Sequence, residues 1–214
     1  MAKVTLWSGV QVDMQSAIGT ALVVSAVTKA NPGVATSTAH GLANGDFVVL
    51  QEVQGMSQIN NRLFRVTGVT ANTFNLEGED TTLFDTYISG NAYKITFGTS
   101  FSTLLDINVS GGEYSPIDTT TIHDRQATSI PGIPSALELT SNSFWDVSDV
   151  GLIAAKRASD LKALRAFKLT FQNGQKFLVN GYIGASLSPA GSAQDKVTTS
   201  IKISANGQST VYAS

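Results

Sequence analysis

The sequence predicts a mainly β protein: a β-sandwich with one packing helix and a long arm, plus an inserted small all-β domain. Three observations carry this expectation. Phe167, Leu169 and Phe171 alternate with Lys168, Thr170 and Gln172, the period-2 pattern of a strand with one buried face. Asn173-Gly174 follows, a pair that tolerates the positive φ of a type I′ turn, and Phe177, Val179 and Gly181 then alternate with Leu178, Asn180 and Tyr182. Second, from about residue 27 to 97 short apolar runs are broken by turn residues at the spacing of a small barrel or sandwich. Third, a single stretch, roughly 147–162, has a helical stripe.

Taken in order, residues 4–15 read as a first strand, with Val10, Val12 and Met14 opposite Gln11, Asp13 and Gln15. Ile18-Gly19-Thr20 reads as a turn into a second strand over 21–28. Five short strands follow at 33–38, 47–51, 63–69, 73–77 and 92–97, separated by turn-rich segments such as His40 to Asp46. Residues 101–110 alternate as another strand. Residues 111–134 then show no periodicity, three prolines and many small polar groups. A segment that long without structure is uncommon in a compact domain and is usually functional. A strand over 137–144 leads to the helix. Ser148 is the expected N-cap, Asp149 lies in the first turn, and Lys156 and Arg157 come late, all favourable to the macrodipole. Leu152, Ala155 and Ser159 supply the apolar stripe. Gly151 interrupts it at a cost of about 1 kcal/mol against alanine. The hairpin at 167–182 and a strand over 197–204 close the chain.

Composition narrows the function. Of 214 residues, 42% are hydrophobic and only 14% charged, where soluble domains usually carry about a quarter. A surface built from Thr, Ser, Asn, Gln and Gly suits a chain packed against copies of itself. The net charge of −2 offers no basic footprint for gripping nucleic acid. With no cysteine, thiolate chemistry, disulfides and cysteine metal sites are excluded. The N-terminus lacks the pattern of a signal peptide, and no apolar run nears the roughly 20 residues of a membrane span. The expectation is a soluble product made in, or assembled from, the cytoplasm, with no membrane insertion.

Catalytic and metal chemistry find little footing. His40 and His123 lie in different segments, and neither has a second histidine at ligand spacing. His40 is expected to support a turn. His123-Asp124 could form half of an acid–base pair, but no nucleophile is marked beside it. Glu77, Glu79, Asp80 and Asp85 lack the alternate spacing of a calcium loop, so a solvated turn is expected. Lys156, Arg157, Lys162, Arg165 and Lys168 read as a mixed polar surface. No enzyme activity and no cofactor are expected.

Two resemblances sharpen this reading. His40-Gly41-Leu42, Asn44-Gly45-Asp46, Val66 to Val69, Asn72-Thr73-Phe74 and Leu76 resemble a small β module that recurs as an insertion in phage structural proteins. The module is also similar to a half-domain of ubiquitin-activating enzymes. The flanking pieces resemble the tail tube (major tail) protein of long non-contractile-tailed phages. That resemblance rests on Gly112 to Asp118, Phe144-Trp145, Arg165 to Gly174, Gly181-Tyr182-Ile183 and the strand 197–203. The implied division is a tail-tube β-sandwich core of residues 1–28 and 97–214, an inserted barrel-like domain at 29–96, and an inter-subunit arm at 111–135.

In this family, the resemblance implies, six subunits close a homohexameric ring, rings stack into a tube, and DNA passes through the lumen without specific binding during ejection. Tape measure, tail terminator and distal tail proteins are the implied further partners, and the virion tail is the implied location. A lumen wall must be polar and not basic, since lysines would hold phosphates by counterion release. Lys168 and Lys202 therefore argue against the hairpin row. Gln11, Asp13, Gln15, Asp106 and Asn108 become the lumen candidates. Glu113, Tyr114, Pro116, Ile117, Asp118, His123, Asp124 and Arg125 are the arm candidates for contact between subunits. The inserted domain is expected on the outside of the tube. The alternative is a carbohydrate- or receptor-binding β-sandwich module of a phage tail, although Trp7 and Trp145 read as strand residues rather than exposed ligand platforms.

Overall fold

The computed structural model describes residues 5–213. The protein is mainly β, with one α-helix against a curled sheet. The strands are β1 (Gln11–Val24), β2 (Ala26–Val27), β3 (Val34–Thr36), β4 (Phe47–Gln54), β5 (Leu63–Thr67), β6 (Thr73–Leu76), β7 (Ser89–Phe101), β8 (Asn108–Ser110), β9 (Tyr114–Asp118), β10 (Ser129–Pro134) and β11 (Glu138–Phe144). Helix α1 (Val150–Asp160) follows, then β12 (Leu164–Thr170), β13 (Lys176–Ala185), β14 (Thr198–Ala205) and β15 (Thr210–Tyr212). Thirteen strands form one sheet in the order β2-β3-β6-β5-β4-β7-β1-β12-β13-β14-β11-β8, with β15 beside β13. Strands β9 and β10 stand apart as a two-stranded hairpin.

Alternation along the strands feeds three apolar clusters. Val12, Met14, Phe167, Leu169, Val179, Ile201 and Ile203 fill the first, which Leu152, Ala155 and Ala158 of α1 close over. Val48, Leu50, Met56, Phe64, Phe74 and Leu76 fill the second. Between them, residues on the opposite faces of the same strands form a third: Val49, Leu63, Ile95, Ala166, Leu178 and Tyr212. The central strands β4, β12 and β13 are therefore buried on both faces.

The helix is capped at both ends. Asp149, not Ser148, is the N-cap, and its Oδ1 accepts from the Leu152 N–H at 2.8 Å. The Ser148 hydroxyl instead donates to Asp146. At the other end Lys162 takes φ +49°, and the Ala163 and Lys162 N–H groups donate to the Ala158 and Ser159 carbonyls at 2.9 and 3.0 Å, a Schellman closure.

Several expectations need correcting. Ile18-Gly19-Thr20 does not turn: β1 runs unbroken through it, with a register shift between Ile18 and Ala21 where it pairs with β7. Residues 5–10 are not a strand, and Val4 lies outside the described residues. Of 101–110 only Phe101, at the end of β7, and Asn108–Ser110 are regular strand. The unpatterned 111–134 segment contains the β9–β10 hairpin. At 171–175 only Gly174 has positive φ, at +85°. The Gly174 N–H donates to the Phe171 carbonyl, and the Phe171 N–H to the Gln175 carbonyl. This is a three-residue loop ending in a left-handed glycine, not a two-residue type I′ turn. Strand β15 carries too few residues to show alternation and was not foreseen. Trp7 lies in an irregular segment and Trp145 just after β11, and both are exposed.

Candidate functional site

The arm is the most exposed part of the described chain. In β9 and β10 the register pairs Ile117 with Ile130, Pro116 with Pro131 and Asp118 with Ser129. Gly112 N–H donates to the Ser135 carbonyl and Ser135 N–H to the Glu113 carbonyl, closing the base of the hairpin. Toward its tip the Thr120 N–H donates to Asp118, and the Thr121 N–H and hydroxyl donate to Asp124. Those bonds hold both carboxyls below the usual carboxylate value, the Thr120 hydroxyl acting first at Asp118 and the Thr121 backbone first at Asp124. Asp124 is thus engaged with Thr121. Glu113, Tyr114, Pro116, Ile117, Asp118, His123, Asp124 and Arg125 all face solvent in the single chain. Sequence reasoning passed over Ile122, Ile130 and Ile133, also exposed. Isoleucines among prolines and threonines were the available signal.

The lumen candidates divide. Gln11, Asp106 and Asn108 are exposed, whereas Asp13 and Gln15 are buried in the chain itself. Asp13 accepts from the Ser100 hydroxyl at 2.6 Å and from Gln11 Nε2 at 3.0 Å, and pairs with Lys168 Nζ at 3.1 Å. The Lys168 ammonium also lies 4.9 Å from the Phe97 ring centroid, a cation–π contact. Gln15 Oε1 accepts from the Ala166 N–H at 3.1 Å. These two side chains therefore join β1 to its neighbours instead of facing a bore. Asp106 accepts from the backbone and side chain of Asn142 at 2.8 and 2.9 Å, which holds its carboxyl below the usual value.

Several other titratable groups have local partners. His40 is buried, with Nδ1 accepting from the Leu42 N–H and its ring edge-on to Phe74. Glu79 forms a bidentate pair with Arg62 and Glu77 pairs with Arg65, so these two carboxylates are not the solvated turn the sequence suggested. Lys156 pairs with Asp160. Among the described residues no group of three or more His, Asp or Glu side chains is placed to hold a metal, and no helix is long and apolar enough to cross a membrane.

Comparison with known proteins adds three findings. Ubiquitin-like modifier-activating enzyme 1 of Oryctolagus cuniculus is 43% identical over 72 residues, 32% of this chain and 7% of that protein. The Homo sapiens enzyme is 39% identical over 90 residues, 39% of this chain and 8% of that protein. The chain thus spans under a tenth of the length of these relatives. A solved tail of an empty GTA particle, refined with C6 symmetry, matches at 14% identity over 55% of this chain and 87% of that one, with a TM-score of 0.43. The model of the phage tail tube protein family (TTP) matches residues 54–214, which takes in β5 through β15 with the arm and the helix. The chain belongs to the phage tail tube protein family.

Proposed function

We propose that this tail tube subunit closes into hexameric rings that stack along the tail, leaving a polar, non-basic lumen through which DNA passes on ejection without specific binding. The observation that carries the assembly reading is the arm. A two-stranded hairpin is marginal by itself in water, yet β9 and β10 present Tyr114, Ile117, Ile130 and Ile133 to solvent on every side. Packing against other copies would cover them. Glu113, Tyr114, Pro116, Ile117, Asp118, His123, Asp124 and Arg125 are the contact residues in this reading. Gln11, Asp106 and Asn108 remain the lumen candidates, and an ionised Asp106 would repel phosphate. The same reading makes the chain a structural protein and not an enzyme, resident in the virion tail and assembled in the host cytoplasm.

The inserted domain is read as residues 29–96, displayed outside the tube, because a unit with its own apolar cluster projecting inward would block the bore. The cut at 96/97 falls inside β7, so a deletion should rejoin Val24 to its partner Gly90. Negative-stain electron microscopy of the purified protein tests the assembly, with rings or tubes expected and a strict monomer at all concentrations opposing it. Tubes of the deletion variant should be narrower outside. An unchanged outer diameter would sink the external placement.

A further inference from the structure

Among the described residues the arm has no apolar seat, and the same chain carries an apolar groove on its surface. The groove lies between the segment before β1, β8 and the loop end of the β12–β13 hairpin. Trp7, Val109, Phe171, Phe177 and Val211 line it, Lys176 stands at its rim, and its volume is about 240 Å³. Trp7 and Phe171 meet at 5.5 Å between ring centroids. Trp7, Val109 and Val211 are each about half exposed or more, so the lining is a surface and not a closed core.

We infer that this groove seats the arm hairpin of a second copy of the chain, with Ile117 and Ile130 entering it. The inference rests on the assembly reading above and names the receiving surface. Three features carry it. Ile117 and Ile130 are directly paired across the hairpin and so share a face. Gly132 lies beneath Ile117, where an added Cβ would come within 3.1 Å of it, so the Ile117 side chain leans across the hairpin on that face.

Charge also matches. The arm carries Glu113, Asp118 and Asp124 against Arg125, and the groove rim offers the Lys176 ammonium, whose Nζ donates to the Gly174 carbonyl. Finally, hairpin face and groove are different patches of one chain. A contact between them is head-to-tail, and such contacts propagate into rings or filaments, whereas a self-complementary patch stops at a dimer. The covered surface is that of a repeating assembly.

The chain has no cysteine, which makes cross-linking direct. Ile117→Cys and Val211→Cys variants, each at an exposed position, are mixed, assembled, imaged and oxidised. A disulfide requires Cα atoms within about 7 Å. The expected result is a dimer on a non-reducing gel, lost on adding reductant, that joins I117C to V211C in assembled tubes, with Ile130→Cys as a second arm position. Assembled tubes in which neither arm cysteine reaches V211C overturn the inference and leave the assembly reading standing. So does cross-linking of the arm to Val150→Cys on the helix instead. A wild-type chain that forms no rings or tubes overturns both.

Discussion

Replacing Gly151 with alanine tests how closely α1 lies on β7. In an exposed helix interior this change gains about 1 kcal/mol, and the sequence alone would recommend it. The structure reverses the sign. A Cβ on Gly151 would sit 2.7 Å from the Ser100 carbonyl oxygen and 3.1 Å from the Phe101 Cα. Both are backbone atoms of β7, which is fixed by ladders to β1 and β4, so neither can swing aside as a side chain would. Overpacking of this kind costs about 1–3 kcal/mol, and the propensity gain offsets part of it. The expected outcome is a net loss of up to about 2 kcal/mol, or up to about 8 °C in Tm for a chain of this length. Urea unfolding followed by circular dichroism measures it, with an unchanged m-value confirming that only stability moved. A G151A variant more stable than wild type by about 1 kcal/mol would refute the close approach and the placement of the helix.

Asp149→Ala should cost about 1 kcal/mol through loss of the N-cap and of the hydrogen bond from Ser102, while Ser148→Ala should do less; thermal melts of the two variants rank them. Lys168→Met leaves the buried Asp13 carboxylate without its cation and should cost about 3 kcal/mol. Adding Asp13→Asn should recover much of that, and a double-mutant cycle reads the coupling. Burial pushes the Tyr212 hydroxyl up to about 12, above an unfolded value near 10. Its contribution is therefore complete below about pH 10 and lost as pH rises through 12. Tyr212→Phe should flatten that alkaline decline in urea titrations, while losing about 1 kcal/mol at neutral pH with the hydroxyl that accepts from Arg65 N–H.

Strands with one dry face were legible because burial writes itself into alternation: Phe167 and Leu169, or Ile201 and Ile203, could hardly point elsewhere. The arm was not, since neither face of β9 or β10 is buried in the chain and no single face had to be apolar. Gly19 misled because glycine usually punctuates. Here it lies over Lys94 inside a bulged strand, where an added Cβ would meet the Lys94 Cβ at 3.3 Å. Ser148 misled because two adjacent residues could cap the helix, and Asp146 had already engaged the serine hydroxyl. Of the lumen candidates, Gln11, Asp106 and Asn108 are exposed in the single chain. Asp13 and Gln15 share Gln11's side of the alternation, yet the curl of the sheet brings Phe47 and Val49 of β4 and Leu63 of β5 over that side as a second layer. No local pattern in β1 reports what a segment some fifty residues away will cover.

That second layer bears on how residues 29–96, the proposed inserted module, would be carried. A module joined only through its two chain ends would swing on a linker, and its outward surface would be averaged over orientations. Here β1 and β7 run as one ribbon from the first cluster to the second, and β4 extends the same sheet. Val49 and Leu63 then press on Ala166 and Leu178, while the Tyr212 hydroxyl accepts from Arg65 in β5 and Asn180 donates to the Asn61 carbonyl. The contacts come from three separate stretches of chain, so no single hinge can release them. Removing the module would uncover Ala166, Leu178 and Tyr212, which are otherwise almost fully buried. At roughly 25 cal/mol per Å², even a modest apolar patch there weakens the remaining fold. Loss of solubility after such a deletion would therefore follow from core exposure alone, and only the tube diameter speaks to where the module sits.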